Sequence, residues 1–191
     1  MRKTQIKNSG FTLIELMVAT SIFMMVILAA IGALMITSNA AKESKALRYA
    51  MDNVNFAMDT MTRNIRLGSD YFCSTPVPGS FIITSTTLDC ASGDGAIVFT
   101  KPNSRAGSFD ISYQIAPSVS GNVIEKCDSS GCASITSRDV NITDLKFIVR
   151  GSDSLDSIQP SVEILLKGTV DLSGKITTFE LQSLASQRTF E

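Results

Sequence analysis

Glu15 is the one ionisable side chain in an apolar run of 26 residues, 11–36, that opens FTLIELMVA directly after Gly10. Burying a carboxylate in hydrocarbon costs on the order of 2.5–3.5 kcal/mol even on the lenient insertion scale. A sequence that needed only an anchor would place another Leu there. The acid therefore points to a task, and its natural complement is a positive charge on another chain. The second reactive set is four cysteines, Cys73, Cys90, Cys127 and Cys132, all beyond the apolar run. An even count in a domain exported to an oxidising space suggests two disulfides among three possible connectivities. Pairing Cys73 with Cys90 and Cys127 with Cys132 closes two local loops. A metal site or free thiols are the alternatives, and metal is disfavoured by the absence of any CxxC pair and of histidine. The CDSSGC segment closes on itself around a Ser-Gly turn, and such a short loop adds about 2 kcal/mol.

The composition excludes several function classes. With no His and no Trp, the Ser-His-Asp and Cys-His arrangements and the usual zinc sites are gone. Carboxylate, Lys or Tyr chemistry stays formally open, but no spacing assembles it, so neither catalysis, a cofactor nor a metal is expected. Formal net charge is −1; without Arg2, Lys3 and Lys7 the chain has 14 basic and 18 acidic residues, a net −4. A mildly acidic chain is a poor general polyanion binder, so no specific nucleic-acid partner is expected. Smaller signals read plainly. Asn141-Ile-Thr143 fits a sequon but reads as an ordinary strand-side Thr. Asp153, Asp156 and Asp171 lack the dense spacing of a calcium loop. Gly93-Asp94-Gly95 is a turn. Tyr49, Tyr71 and Tyr113 read as core or rim residues.

The elements that position these groups follow from pattern. Residues 1–10 form a short polar leader, unlike secretory signals of about 15–30 residues whose cleavage site follows the apolar region. Residues 11–36, at 1.5 Å per residue, give roughly 39 Å of helix, enough to cross a hydrocarbon core of about 30 Å. Gly32 weakens that helix by roughly 1 kcal/mol without a sharp bend. The exported disulfides favour a leader-inside orientation. Residues 37–68 continue the helix: Leu47, Met51, Val54, Met58, Met61 and Ile65 form an apolar seam. Arg48, Asp52, Asn53, Asn55, Asp59 and Arg63 lie opposite. The seam is expected to pack on the chain's own sheet, with a free coiled-coil partner as the alternative. Arg63 and Arg66 suit the helix dipole in the last turn, and Gly68 is the C′ stop. Residues 69–191 turn to Ser, Thr, Gly and Pro with short β-rich runs. Strands are expected at 81–87, 96–101, 110–115, 122–126 and 145–150, and a hairpin at 161–170 and 175–184 with Val162, Ile164, Leu166 and Val170 on its buried face. One long helix followed by strands without alternating helices is an α+β chain with an antiparallel sheet.

Gly10, the apolar run and Glu15 at the fifth position after that glycine resemble the class III signal of type IV prepilins and type II secretion pseudopilins, closely over about the first 26 residues. The resemblance implies that prepilin peptidase cuts after Gly10, that Phe11 becomes the N-methylated terminus, and that Glu15 pairs with the terminal amine of a neighbouring subunit. It also implies the pilin plan, in which the second half of the helix packs on a sheet. Many major pilins carry a helix-breaking proline near the place of Gly32, and this chain departs from them there. The C-terminal pattern, Leu145-Lys-Phe147-Ile-Val149, the 161–184 hairpin and Ser186-Gln-Arg188, is similar to J-type pseudopilins and W-type minor pilins. The implied role is a non-enzymatic minor subunit of a type IV pilus or type II secretion pseudopilus. It would sit as a single-pass inner-membrane protein with an extracytoplasmic C-terminal domain before assembly. Implied partners are other pilins or pseudopilins, the prepilin peptidase, an inner-membrane platform protein and the membrane itself, with force from cytoplasmic ATPases. The alternative is a membrane-anchored extracytoplasmic binding module, a DNA-uptake pseudopilin included; an anchored enzyme lacks any visible nucleophile–base pair.

Overall fold

The computed structural model describes residues 10–80, 89–102, 104, 110–152, 158–172 and 174–188. The chain divides into two compact units, Met1–Lys45 and Ala46–Glu191. A single α-helix, α1 (Leu13–Leu67), contributes to both. Its first part is rich in Leu, Met, Ala and Ile, and passes through Gly32 without interruption, as expected of a lone glycine in a strongly apolar helix. Its side chains are almost all exposed, including Leu13, Ile22, Phe23 and Leu28. α1 is long and apolar enough to cross a membrane, and none of its most apolar 18-residue window is buried. Three hydroxyls in this stretch bond to their own helix: Thr20 Oγ1 donates to the Met17 carbonyl (3.0 Å), Ser21 Oγ to Val18 (2.8 Å) and Thr37 Oγ1 to Ala33 (2.9 Å). Such bonds are what hydroxyls need where water is absent.

Among the described residues, the second unit joins the remainder of α1 to nine strands. The first sheet holds β1 (Ser69–Ser74), β3 (Ala96–Thr100), β4 (Ile111–Ser118), β5 (Gly121–Asp128) and β6 (Gly131–Ser134), side by side in that order. The second holds β2 (Cys90–Asp94), β7 (Val140–Arg150), β8 (Ser161–Leu172) and β9 (Lys175–Ser186), again in that order. All pairings are antiparallel. This is the α+β, pilin-like arrangement expected: one N-terminal helix and antiparallel sheets, though the sheets number two. The seam packs as expected. Val54, Met58, Met61 and Ile65 are buried in one core with Phe99, Tyr113 and Ile124 of the first sheet and Phe147, Ile164 and Leu166 of the second. On β8, Val162, Ile164, Leu166 and Val170 lie on the buried face.

Several local expectations change. Strand 81–87 lies outside the described residues. β1, β2 and β6 add three strands to the expected set. Asn53 is not on the solvent face: it is half-buried and its Oδ1 accepts the Ser137 N–H at 2.8 Å. α1 stops at Leu67, and Gly68 N–H reaches back to the Ile65 carbonyl (3.0 Å), but the left-handed residue is Asp70 (φ 54°), not Gly68. Gly68 is glycine because of space: a Cβ there would lie 2.5 Å from the Phe99 ring. Gly93 does adopt a positive φ (72°), inside an irregular stretch of β2. Tyr71 and Tyr113 are core residues, whereas Tyr49 is fully at the surface.

Candidate functional site at the start of the helix

The helix begins where a polar residue meets the apolar run. Thr12 precedes the first helical residue, Leu13, and its carbonyl accepts the N–H groups of Glu15 (3.1 Å) and Leu16 (3.2 Å). Its hydroxyl donates to Glu15 Oε2 at 3.4 Å. Thr12-x-x-Glu15 has the spacing of a capping box, a signal carried by the sequence itself. Here the hydroxyl meets the carboxylate directly. An acid in the first turn also complements the positive end of the helix dipole. Glu15 thus has an intramolecular reason to sit where it does, worth a fraction of a kcal/mol to about 1 kcal/mol when exposed. That is smaller than the cost of placing a carboxylate in hydrocarbon.

Gly10 and Phe11 lie just before the helix, both exposed, Phe11 at 79 %. Gly10 is not required by its surroundings. A Cβ built on it meets nothing within 4 Å, and its φ is not in the left-handed region. The usual physical reasons for a glycine, a forbidden φ or a close approach, are therefore both absent.

The cysteines lie in the second unit. Cys73 of β1 is bonded to Cys90 of β2, so this link ties an edge of the first sheet to an edge of the second. The pair rests on β7: Cys73 Sγ lies 3.5 Å from the Phe147 carbonyl, and the Val149 N–H points at Cys90 Sγ (3.3 Å). Cys127 is bonded to Cys132, which sits directly across from it in the β5–β6 register. The turn between them is held by Asp128 Oδ1, which accepts the Ser130 N–H at 2.8 Å. That bond keeps the Asp128 carboxyl below its ordinary range. Glu125 approaches Cys127 and Cys132, but both sulfurs are in a disulfide and the carboxylate accepts the Gly79 N–H at 3.1 Å.

The minor signals resolve into local structure. Asn141 is committed on both sides: its Oδ1 accepts the Asn122 N–H (2.8 Å) and its Nδ2 faces Thr169 Oγ1 (3.4 Å). Asp171 Oδ1 accepts the Gly174 N–H (2.7 Å) and thereby closes the β8–β9 turn. Asp153 and Asp156 lie outside the described residues.

No curated protein and no solved structure gives a significant match to this chain. Residues 6–31 match the family described as the prokaryotic N-terminal methylation motif. That motif leads into an apolar helix with two antiparallel sheets after it, an arrangement similar to that of type IV prepilins.

Proposed function

We propose that this protein is a structural subunit, of the minor kind, of a type IV pilus or type II secretion pseudopilus. Prepilin peptidase cuts after Gly10, Phe11 becomes the N-methylated end, and Glu15 pairs with the terminal amine of an adjacent subunit. The observation that carries this reading is the combination at the helix start. Gly10 has no structural need to be glycine, so its small size is explained by recognition from outside the chain. Glu15 is the lone acid of residues 11–36, and its cap contact at 3.4 Å offsets only part of the cost of its position. An intermolecular ion pair in low dielectric supplies the rest.

In this reading the protein waits as a single-pass inner-membrane subunit with residues 46–191 outside the cytoplasm, a compartment that suits the two disulfides. Its partners are other pilins or pseudopilins, the peptidase and a membrane platform protein, and the chain itself is not an enzyme. Mass spectrometry of the native protein tests the reading. The expected species lacks residues 1–10 and carries one added methyl group on Phe11. A functional protein that retains its first ten residues would overturn it.

A further inference from the structure

The geometry points to a carboxylate-binding groove at the end of the second unit where α1 stops, suited to acidic side chains of a partner protein. Two adjoining clefts share Arg66 and Arg188. One, about 470 Å³, is lined by Asp59, Thr62, Arg63, Arg66, Leu67 and Arg188. The other, about 400 Å³, continues along Gln159 and Ser186. The groove is built rather than incidental. The Arg188 N–H donates to the Arg66 carbonyl at 2.8 Å, and Gln187 N–H to the Pro160 carbonyl at 2.8 Å. Thr62 Oγ1 and Ser183 Oγ lie 3.3 Å apart just behind. These bonds fix the arginine-bearing backbones of α1 and of the segment after β9 against each other.

Charge favours an anion. Arg63 and Arg66, with Arg188 beside them, line the groove with one carboxylate residue among the described ones, Asp59, and the helix C-terminus adds roughly half a negative charge. Arg63 and Arg66 are exposed, and among the described residues neither is in a salt bridge. They are one turn apart on α1, where like charges repel by a few tenths of a kcal/mol. A carboxylate accepting from both forks relieves that repulsion and matches guanidinium geometry. A protein carboxylate fits better than nucleic acid. Residues 46–191 hold 12 basic and 16 acidic residues, a net −4, so the field around the groove repels a long polyanion while the groove attracts a local one. Asp59 at one end further limits the length of negative charge the groove accepts. This inference uses residues 46–191 alone, so its failure and a failure of leader processing are separate results.

The test uses the full chain in neutral-lipid nanodiscs and a fluorescent hexaglutamate peptide, with a hexanucleotide as the competing polyanion. Saturable peptide binding is expected. It falls at least about tenfold in Arg63→Glu/Arg66→Glu, since a tenfold change corresponds to one lost charge-assisted hydrogen bond or less. It weakens by a smaller factor in Arg63→Lys/Arg66→Lys, tightens in Asp59→Asn, and is unchanged in Lys175→Glu at the other end of β9. Unchanged binding in the double Glu variant, no saturable binding by the wild type, or tighter binding of the hexanucleotide would each overturn the inference. Both arginines are exposed, so the variants are expected to keep the wild-type unfolding midpoint, and that midpoint is measured alongside.

Discussion

The Tyr71 hydroxyl lies 2.6 Å from the Ile65 carbonyl and 2.6 Å from that of Gly68, so one buried phenol from β1 ends the helix it follows. The last carbonyls of a helix have no intrahelical donors, and at this end the protein supplies one from the next strand. The ring itself packs near Phe99, with centroids 6.0 Å apart. Tyr71→Phe keeps the ring and removes the donor. The expected loss is about 1 kcal/mol of stability in the second unit, because the Gly68 carbonyl loses this donor while the Ile65 carbonyl keeps only the Gly68 N–H. Urea unfolding of the full chain in detergent measures it, and a change under a few tenths of a kcal/mol would show that water takes over the bond.

The two disulfides differ in what they join, and their removal is expected to differ accordingly. Cys73–Cys90 closes a separation of 17 residues and links the two sheets; Cys127–Cys132 closes 5 within one hairpin. Loop-closure entropy gives about 3 kcal/mol for the first and about 2 kcal/mol for the second. Replacing the first pair by Ala is therefore the costlier change. Alkylation of the exported protein without reductant is expected to label none of the four thiols, and labelling of all four would contradict the paired state.

What the sequence made legible depends on where an element sits in its sheet. β3, β4, β5, β7 and β8, each with neighbours on both sides, were all foreseeable from β-branched and aromatic residues, as was the β8–β9 hairpin from its alternation. The three strands that escaped, β1, β2 and β6, are all edge strands. CASGD and GCAS carry little intrinsic strand preference, and in SDYFCS the strand-favouring Tyr71 and Phe72 are a pair too short to stand out between Asp70 and the Ser and Pro that follow. Pairing partners and cross-links hold them extended, and neither is visible in a local window. The helix seam was readable because its period is set by burial, yet Asn53 broke from the exposed face because a distant backbone N–H at Ser137 needed an acceptor. At the candidate site the residues were legible and the Thr12–Glu15 contact was available from spacing alone. That no local steric demand accounts for Gly10 became visible only in the structure, where a Cβ built on it meets nothing within 4 Å.

Alkaline pH should loosen the second unit before it affects the apolar helix. Burial pushes the Tyr113 phenol up to about 12, with a hydrogen bond from Asn64 Nδ2 pulling the other way. Burial also pushes Tyr71 well above its ordinary range, with Asp70 adding to the effect. Both folded-state values lie above the unfolded one, so the fold binds more protons than the unfolded chain. Stability is then fully present below about pH 10 and is lost as pH rises toward and through the folded values. For Tyr113 the loss reaches about 2–3 kcal/mol by pH 12, at about 1.4 kcal/mol per unit. Urea midpoints between pH 9 and 12 report it. Tyr113→Phe is expected to flatten the decline, and an unchanged slope in that variant would assign the effect elsewhere.

Gly10→Val adds a branched side chain at a position where the fold has room for it, with nothing within 4 Å of the added Cβ. The folded second unit is therefore expected to be unaffected, with the same unfolding midpoint as the wild type. Processing, by contrast, is expected to stop, because the proposed peptidase reads the small residue. The uncleaved chain then accumulates in the membrane. Normal cleavage of this variant, seen as loss of residues 1–10 by mass spectrometry, would remove recognition as the explanation for Gly10.

Glu15 has two candidate roles, and a pair of substitutions separates them. As a cap, Glu15 needs a side-chain oxygen within reach of Thr12 Oγ1, now 3.4 Å away. As an assembly residue it needs a negative charge. Glu15→Gln keeps the oxygen and the length and loses the charge, and Gln serves capping boxes as Glu does. Thr12→Val does the reverse, removing the hydroxyl while leaving the carboxylate. If the charge docks onto a neighbour's terminal amine, Glu15→Gln is cleaved normally but falls at least about tenfold in sheared filaments or a co-purified tip complex, a loss that needs only about 1.4 kcal/mol of ion pairing. Thr12→Val then costs at most about 0.5–1 kcal/mol of helix-end stability, the net worth of one exposed hydrogen bond, and leaves incorporation close to wild type. The opposite pattern, full incorporation of Glu15→Gln and failure of Thr12→Val, would make the acid a helix cap and leave the assembly reading without its central contact.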